Sequence, residues 1–178
     1  MQVKRVLDGC PHWGALRKQM NVIDEKDLEK LWDKIEKEYC FRPSCTEESC
    51  NWIELPKSCK KYQLKEIWSK EQEKLVNSFF EELVVDNLIA LDWQHDGFVF
   101  SPKEYDKIDF EYYDKIGDCN VYFPTYYPNG DYFFFINKTF EIGLFGHPWL
   151  HEILVLGNKL IQKFESNMNS LKLHEIQE

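Results

Sequence analysis

Five polar side chains, at two places in the chain, could do chemistry together. The first place is Leu91-Asp92-Trp93-Gln94-His95-Asp96-Gly97; the second carries Asp131 after Asn129-Gly130 and His147 in Gly146-His147-Pro148-Trp149. A carboxylate beside an imidazole orients the ring and favours its charged form. General acid–base work needs such a pairing, and so does recognition of a polar ligand. Asp92, Trp93, His95, Asp96, Asp131, His147 and Trp149 are therefore the candidate ligand- or partner-binding residues, and none is assigned a catalytic role. The same residues also fit a plainer reading, in which His95 and His147 satisfy backbone groups at turns and the tryptophans lie in the core.

For these groups to meet, two hairpins must be neighbours in one sheet. Tyr132 to Ile136 is an unbroken apolar run, as in a strand covered on both faces. Phe140, Ile142 and Leu144 alternate with Glu141, Gly143 and Phe145, the period-2 mark of a second strand. Asn137-Lys138-Thr139 is short enough to join the two, and Asn129-Gly130 supplies the turn before them. Gly146 breaks the alternation and Pro148 biases His147 away from helix, so His147 falls at a strand end. The other hairpin reads as strands Leu88–Gln94 and Phe98–Ser101, joined by His95-Asp96-Gly97.

The remaining elements follow from the same rules. Leu28, Leu31, Trp32, Ile35 and Tyr39 recur at helical spacing, predicting a helix from Asp24 to Tyr39. Ser69 and Gln72 form a capping box for a second helix to about Asp86. Residues 45–67 read as a connector with one strand candidate, Asn51 to Leu55. Residues 102–118 read as a charged, tyrosine-rich loop with a turn of helix, followed by a strand over Cys119–Phe123. Beyond Trp149, a strand over His151–Leu156 and a helix from Gly157 to about Asn167 is preferred to one long helix, because a mid-helix glycine costs about 1 kcal/mol. The sum is an α+β fold: an antiparallel β-sheet of about five to six strands with two to three helices packed mainly on one face. It forms a single domain over 1–178, with residues 1–23 and 170–178 peripheral.

Composition removes several functions. The chain has 178 residues, a net charge of −9 and 16% aromatic residues, with a pI near 5.1. A nucleic-acid partner requires clustered Lys and Arg, so none is expected; a basic protein partner suits the acidity better. No apolar run is long enough to span a membrane, and the first residues lack the apolar core of a signal peptide. A cytoplasmic location with reduced thiols is expected, which leaves the Asn137-Lys138-Thr139 sequon as a turn only. Cys40, Cys45, Cys50 and Cys59 are separated by four, four and eight residues, unlike the tight pairs that usually open a zinc site. His147 and His151 have helical spacing, but Pro148 removes the helix. No metal or other cofactor is expected. Cys119 and Cys10, the latter near His12, lack a legible base for nucleophilic chemistry. No phosphate loop, dinucleotide fingerprint or Gly-x-Ser-x-Gly elbow occurs.

Several phrases in order carry a resemblance: Trp32-Asp33, Phe41-Arg42-Pro43-Ser44, Leu91-Asp92-Trp93-Gln94-His95, Gly130-Asp131-Tyr132, Phe145-Gly146-His147-Pro148-Trp149 and Leu156-Gly157-Asn158-Lys159-Leu160. Together the set, over about residues 28–165, resembles an uncharacterised bacterial family, domain of unknown function 2716. The resemblance implies a bacterial source and one compact domain, and brings no activity or site residues. The leading expectation for function is a non-enzymatic protein-interaction module that binds a basic partner, an immunity-like neutraliser being one form. The alternative is a small-molecule-binding protein or enzyme with a His/Asp/Trp pocket. Oligomeric state stays open.

Overall fold

The computed structural model describes residues 20–43, 52–56, 58–114 and 118–176. Helix α1 (Glu25–Tyr39) starts where Asp24 accepts a hydrogen bond from the Asp27 amide, and it ends at Cys40 in a left-handed conformation. Helix α2 (Lys70–Leu83) starts at the capping box predicted from Ser69 and Gln72, a device worth about 1 kcal/mol. Helix α3 (Asn158–Ser166) follows Gly157, as preferred over the single long helix.

The strands are β1 (Met20–Val22), β2 (Cys59–Leu64), β3 (Leu88–Asp92), β4 (Gly97–Phe100), β5 (Glu111–Asp114), β6 (Cys119–Tyr122), β7 (Phe133–Asn137), β8 (Gly143–His147), β9 (Glu152–Leu156) and β10 (Leu173–Glu175). Eight of them form one antiparallel sheet in the order β1-β4-β3-β7-β8-β9-β2-β10, while β5 and β6 form a separate ribbon. The expected five to six strands are thus too few. Those missed are short or polar: β1 and β10 have three residues each, β2 reads Cys-Lys-Lys-Tyr-Gln-Leu, and β5 lies in the segment read as loop. Part of the segment 170–178, expected to be peripheral, is therefore in the sheet, because Leu173–Glu175 pairs with β2. The strand expected at Asn51–Leu55 does not form over its described part, and β2 begins instead at Cys59. Cys10, His12, Cys45, Cys50 and Asn51 lie outside the described residues.

Helices cover both faces of the sheet. On the first face, α2 and α3 bring Phe79, Phe80, Leu160 and Phe164 onto Leu144, Phe135 and Ala90. On the second face, α1 contributes Ile35 and Tyr39, which join Phe41, Trp52, Phe134 and Phe145. Each fully buried aliphatic or aromatic side chain contributes about 1.5–3 kcal/mol through burial. Phe133 to Ile136 are buried on both sides, which is why the sequence there is continuously apolar. The strand after the β7–β8 loop starts at Gly143, three residues later than read. Phe140 lies in the loop with φ +62 and buries its ring beside Tyr39. The loop closes because Asn137 Oδ1 accepts from the Glu141 and Ile142 amides at 2.9 and 3.0 Å.

Candidate functional site

Register places both corners on one rim of the sheet. Asp92 pairs with Phe133, Phe133 pairs with Gly146, and His147 pairs with Glu152. The turn after β3 spans residues 93–96, and Gly97 opens β4 instead of sitting in the turn. One further bond, from the Trp93 amide to the Tyr132 carbonyl at 3.2 Å, fastens this turn to the residues just before β7.

The pleat then divides the candidates between the faces, since successive side chains along a strand point opposite ways. Asp92 follows the side of Ala90, and Asp131 that of Phe133, toward the first face. Trp93, Tyr132 and Trp149 join the second-face cluster with Leu91 and Phe145. The shared rim is real, but a single shared cluster does not form.

On the first face, Asp92, His95 and Asp131 converge on a cleft of about 490 Å³, within the usual size range for small-ligand sites. Its aromatic wall is Phe110, Tyr122, Phe123 and Phe133, and Glu111 adds a third carboxylate. His95 Nδ1 stands 3.0 Å from Asp92 Oδ1 and 3.9 Å from Asp131 Oδ2. The 3.0 Å contact is an ion-pair distance but not an aligned hydrogen bond, so the buried Asp92 Oδ1 has no proper donor. Asp131 Oδ1, in contrast, accepts from the Tyr132 amide at 2.7 Å. Burial pushes the Asp92 carboxyl up to about 6; His95 opposes this shift and the Asp131 carboxylate adds to it. The Asp92 carboxylate is also what holds the His95 imidazole above its ordinary value. Asp96 is partly buried in the same turn and does not line the cleft.

On the second face, His147 is completely buried. Its Nδ1 accepts from the Leu150 amide at 3.1 Å, so the neutral ring carries its proton on Nε2, which faces the Tyr132 hydroxyl at 3.2 Å. Trp52 and Trp149 pack edge-on to the ring, at 5.2 and 5.8 Å between centroids. Burial lowers the His147 pKa to about 4. The ring is thus neutral, with both nitrogens in hydrogen-bond contact, and it lies outside the cleft.

The chain just after the wall residues Phe123, Pro124 and Thr125 is held from behind by helix α2. Glu73 accepts from the Tyr126 and Tyr127 amides at 2.8 and 2.9 Å and from the Tyr105 hydroxyl at 3.1 Å. Asn77 donates to the Pro102 carbonyl and accepts from the Tyr126 hydroxyl, both at 2.9 Å. Burial raises the Glu73 carboxyl in spite of these three donors. Sequence reasoning missed this support, although the signal was there: Glu73 and Asn77 fall on the helical stripe of Val76 and Phe80. Gly146, facing the cleft side, lets the chain at Pro128 lie flat on the sheet; a Cβ there would meet Pro128 Cβ at 2.6 Å.

Among the described residues, one group of His, Cys, Asp or Glu side chains is compact enough to hold a metal ion, and it is Asp92, His95 and Asp131. It does not involve the cysteines or the His147–His151 pair. Among the described residues, no helix is long and apolar enough to cross a membrane.

The chain is 39% identical over 82 residues to "Uncharacterized protein YxiI" of Bacillus subtilis (strain 168), a match covering 46% of each chain. It thus aligns with just under half the length of that relative. No solved structure matches the chain. Residues 22–161, which span the sheet from β1 through β9 and both corners of the rim, match the model for "Protein of unknown function (DUF2716)", and the chain belongs to that family.

Proposed function

We propose that this is a binding protein whose cleft takes a small cationic ligand, an amine or guanidinium carrying an apolar body. The reading rests on one observation. Two carboxylates, Asp92 and Asp131, converge on an aromatic-walled cleft, and Asp92 is 5% exposed with one oxygen lacking an aligned donor. A buried carboxylate without its hydrogen bonds costs free energy. A cationic donor entering the cleft would remove that penalty, and the facing rings would add cation–π attraction. Benzylamine is a suitable probe, with its ammonium toward the carboxylates and its ring on Phe123 and Phe133. Calorimetry should show 1:1 binding to the wild-type chain, at least about tenfold weaker for Asp131→Asn, equivalent to about 1.4 kcal/mol. Benzoate should not bind. Equal affinity of both proteins for benzylamine, or none, removes the proposal.

A second reading, a basic protein partner, is favoured by a different observation. Tyr113 and Tyr122 on the β5–β6 ribbon are 53% and 50% exposed, and the ribbon borders the acidic cleft. A lysine or arginine of a partner could enter the cleft while these rings form the surrounding contact. An immunity-like role would be one form of this second reading.

A further inference from the structure

We infer that the floor of the cleft is a divalent-cation site in which Asp92, His95 and Asp131 are the protein ligands. This inference rests on the cleft being a cation site; the ion takes the carboxylates that the ammonium of the proposed ligand would otherwise take, so the two exclude each other there. One candidate ligand atom from each residue lies within 4.8 Å of the others. A first-row ion bound at about 2.0–2.2 Å places neighbouring donors about 3–3.5 Å apart. His95 Nδ1 and Asp92 Oδ1 already have such a spacing, at 3.0 Å. Asp131 Oδ2, at 3.9 Å from the same nitrogen, needs to move inward by less than an ångström.

The second observation concerns the buried oxygen that has an ion-pair contact with His95 but no aligned donor. Asp92 is nine-tenths buried, lines the cleft, and keeps Oδ1 without an aligned donor. A metal ion satisfies such an oxygen with less demand on direction than a hydrogen bond, which weakens steeply as it bends. Asp131 is held differently. Its Oδ1 is fixed by the Tyr132 amide, which orients the carboxylate and leaves Oδ2 directed at His95. Backbone support of this kind is what orients a metal-binding carboxylate. His95 is 58% exposed at its side chain and can swing onto an ion without disturbing the core.

One imidazole nitrogen and two carboxylate oxygens are a donor set for Mn²⁺ or Zn²⁺ rather than for soft, thiolate-seeking ions. Three protein ligands leave positions open on the cleft side, where water completes the shell.

Mn²⁺ is the probe of choice, because the cysteines of the chain compete for Zn²⁺ but only weakly for Mn²⁺. The full chain, stripped with a chelator and dialysed, is titrated with MnCl₂ while the six-line electron paramagnetic resonance signal of the hydrated ion is followed. The expected result is loss of that signal at one ion per chain. Affinity should fall at least about tenfold in His95→Ala, an exposed position whose change leaves the fold intact, and in Asp131→Asn. Binding of Mn²⁺ undiminished in His95→Ala would show a diffuse acidic surface and overturn the inference, as would no binding at all. The benzylamine titration separates the two levels. Chain that binds benzylamine but not Mn²⁺ keeps the cleft as a ligand site and loses the metal; chain that binds neither loses both.

Discussion

The two faces of one sheet rim use nearly the same residue types to opposite ends. On the second face His147 is closed, with both ring nitrogens engaged and no exposure, although the buried indole N–H of Trp52 beside it has no aligned acceptor. On the first face a histidine and two aspartates form an open set, with a buried oxygen lacking its donor and His95 largely in solvent. Satisfied polar groups in a core stabilise the fold, whereas unsatisfied ones at a cleft cost stability and are the pattern expected of a ligand site. Residue type alone does not separate the two. The pleat does, by sending Asp92 and Asp131 one way and Trp93 and Tyr132 the other.

The largest test of that division is His147→Ala. It opens a cavity, leaves the Leu150 amide unpaired and takes the ring away from the Tyr132 hydroxyl. A loss of about 3–4 kcal/mol is expected, or a melting temperature lower by roughly 6–16 °C for a chain of this size. Benzylamine affinity of the folded variant at low temperature should stay unchanged. A small change in stability together with a large change in affinity would move His147 into the site and dissolve the contrast.

The faces should also respond oppositely to pH. His147 has a folded pKa near 4, below its ordinary 6.5. Its contribution is complete above 6.5 and is lost as pH falls through 4, by up to about 3 kcal/mol. Asp92 has a folded pKa near 6, above its ordinary 3.8. Its contribution is complete below 3.8 and is lost as pH rises through 6, by about 3 kcal/mol or less. Urea unfolding of chelator-treated protein between pH 4 and 7.5 therefore sees two opposed terms. Asp92→Asn should remove the rising-pH loss and leave the falling-pH loss of His147 alone. The same steepness in the variant would mean that Asp92 is not desolvated.

How much of this was legible follows the same physics. The helices were readable because capping and 3.6-residue periodicity are local: Asp24, Ser69 with Gln72, and the stripe of Val76, Phe79 and Phe80 all stand where the sequence places them. The central strand β7 was readable because it is apolar on both faces. The strands at this end of the sheet were not, since β2 and the edge strand β10 derive their pairing from distant partners and carry lysine and glutamate. Of the site, the gathering of Asp92, His95 and Asp131 follows from two adjacent hairpins. Excluding His147 and Trp149 from the cleft required the register between β3, β7 and β8, and a slip of one residue would reverse every face. Phe110 and Glu111 were hidden in a segment with no periodicity, whereas the strand that carries Tyr122 was read.

At pH 7.5 Asp92→Asn should raise stability in chelated buffer by about 1–3 kcal/mol while weakening benzylamine, because it replaces a desolvated charge with a neutral amide of the same shape. A loss of stability would mean that the cleft is as well satisfied as its counterpart on the other face. Glu73→Gln should cost about 1–2 kcal/mol, since an amide nitrogen cannot accept from both the Tyr126 and Tyr127 amides. It should also weaken cleft binding without touching the ligand, because the chain at Tyr126 and Tyr127 continues directly from the wall residues Phe123, Pro124 and Thr125.

The smallest effect in stability separates the two functional readings. Tyr113 is exposed on the ribbon, hydrogen-bonded to Asp118, and is not part of the cleft lining. Tyr113→Ala should change stability by no more than about 0.5 kcal/mol, as exposed substitutions usually do. Benzylamine, which needs only the floor and its ring wall, should bind as before. Poly-L-lysine at low ionic strength tests the broader surface, since a basic chain threading one side chain into the cleft must lie across the ribbon. A severalfold weaker binding of poly-L-lysine, with benzylamine unchanged, would extend the open side of the rim from a pocket to an interface. Equal binding of both probes would confine it to the pocket, because the aromatic ribbon would then contribute nothing beyond the charge that Asp92 and Asp131 already supply.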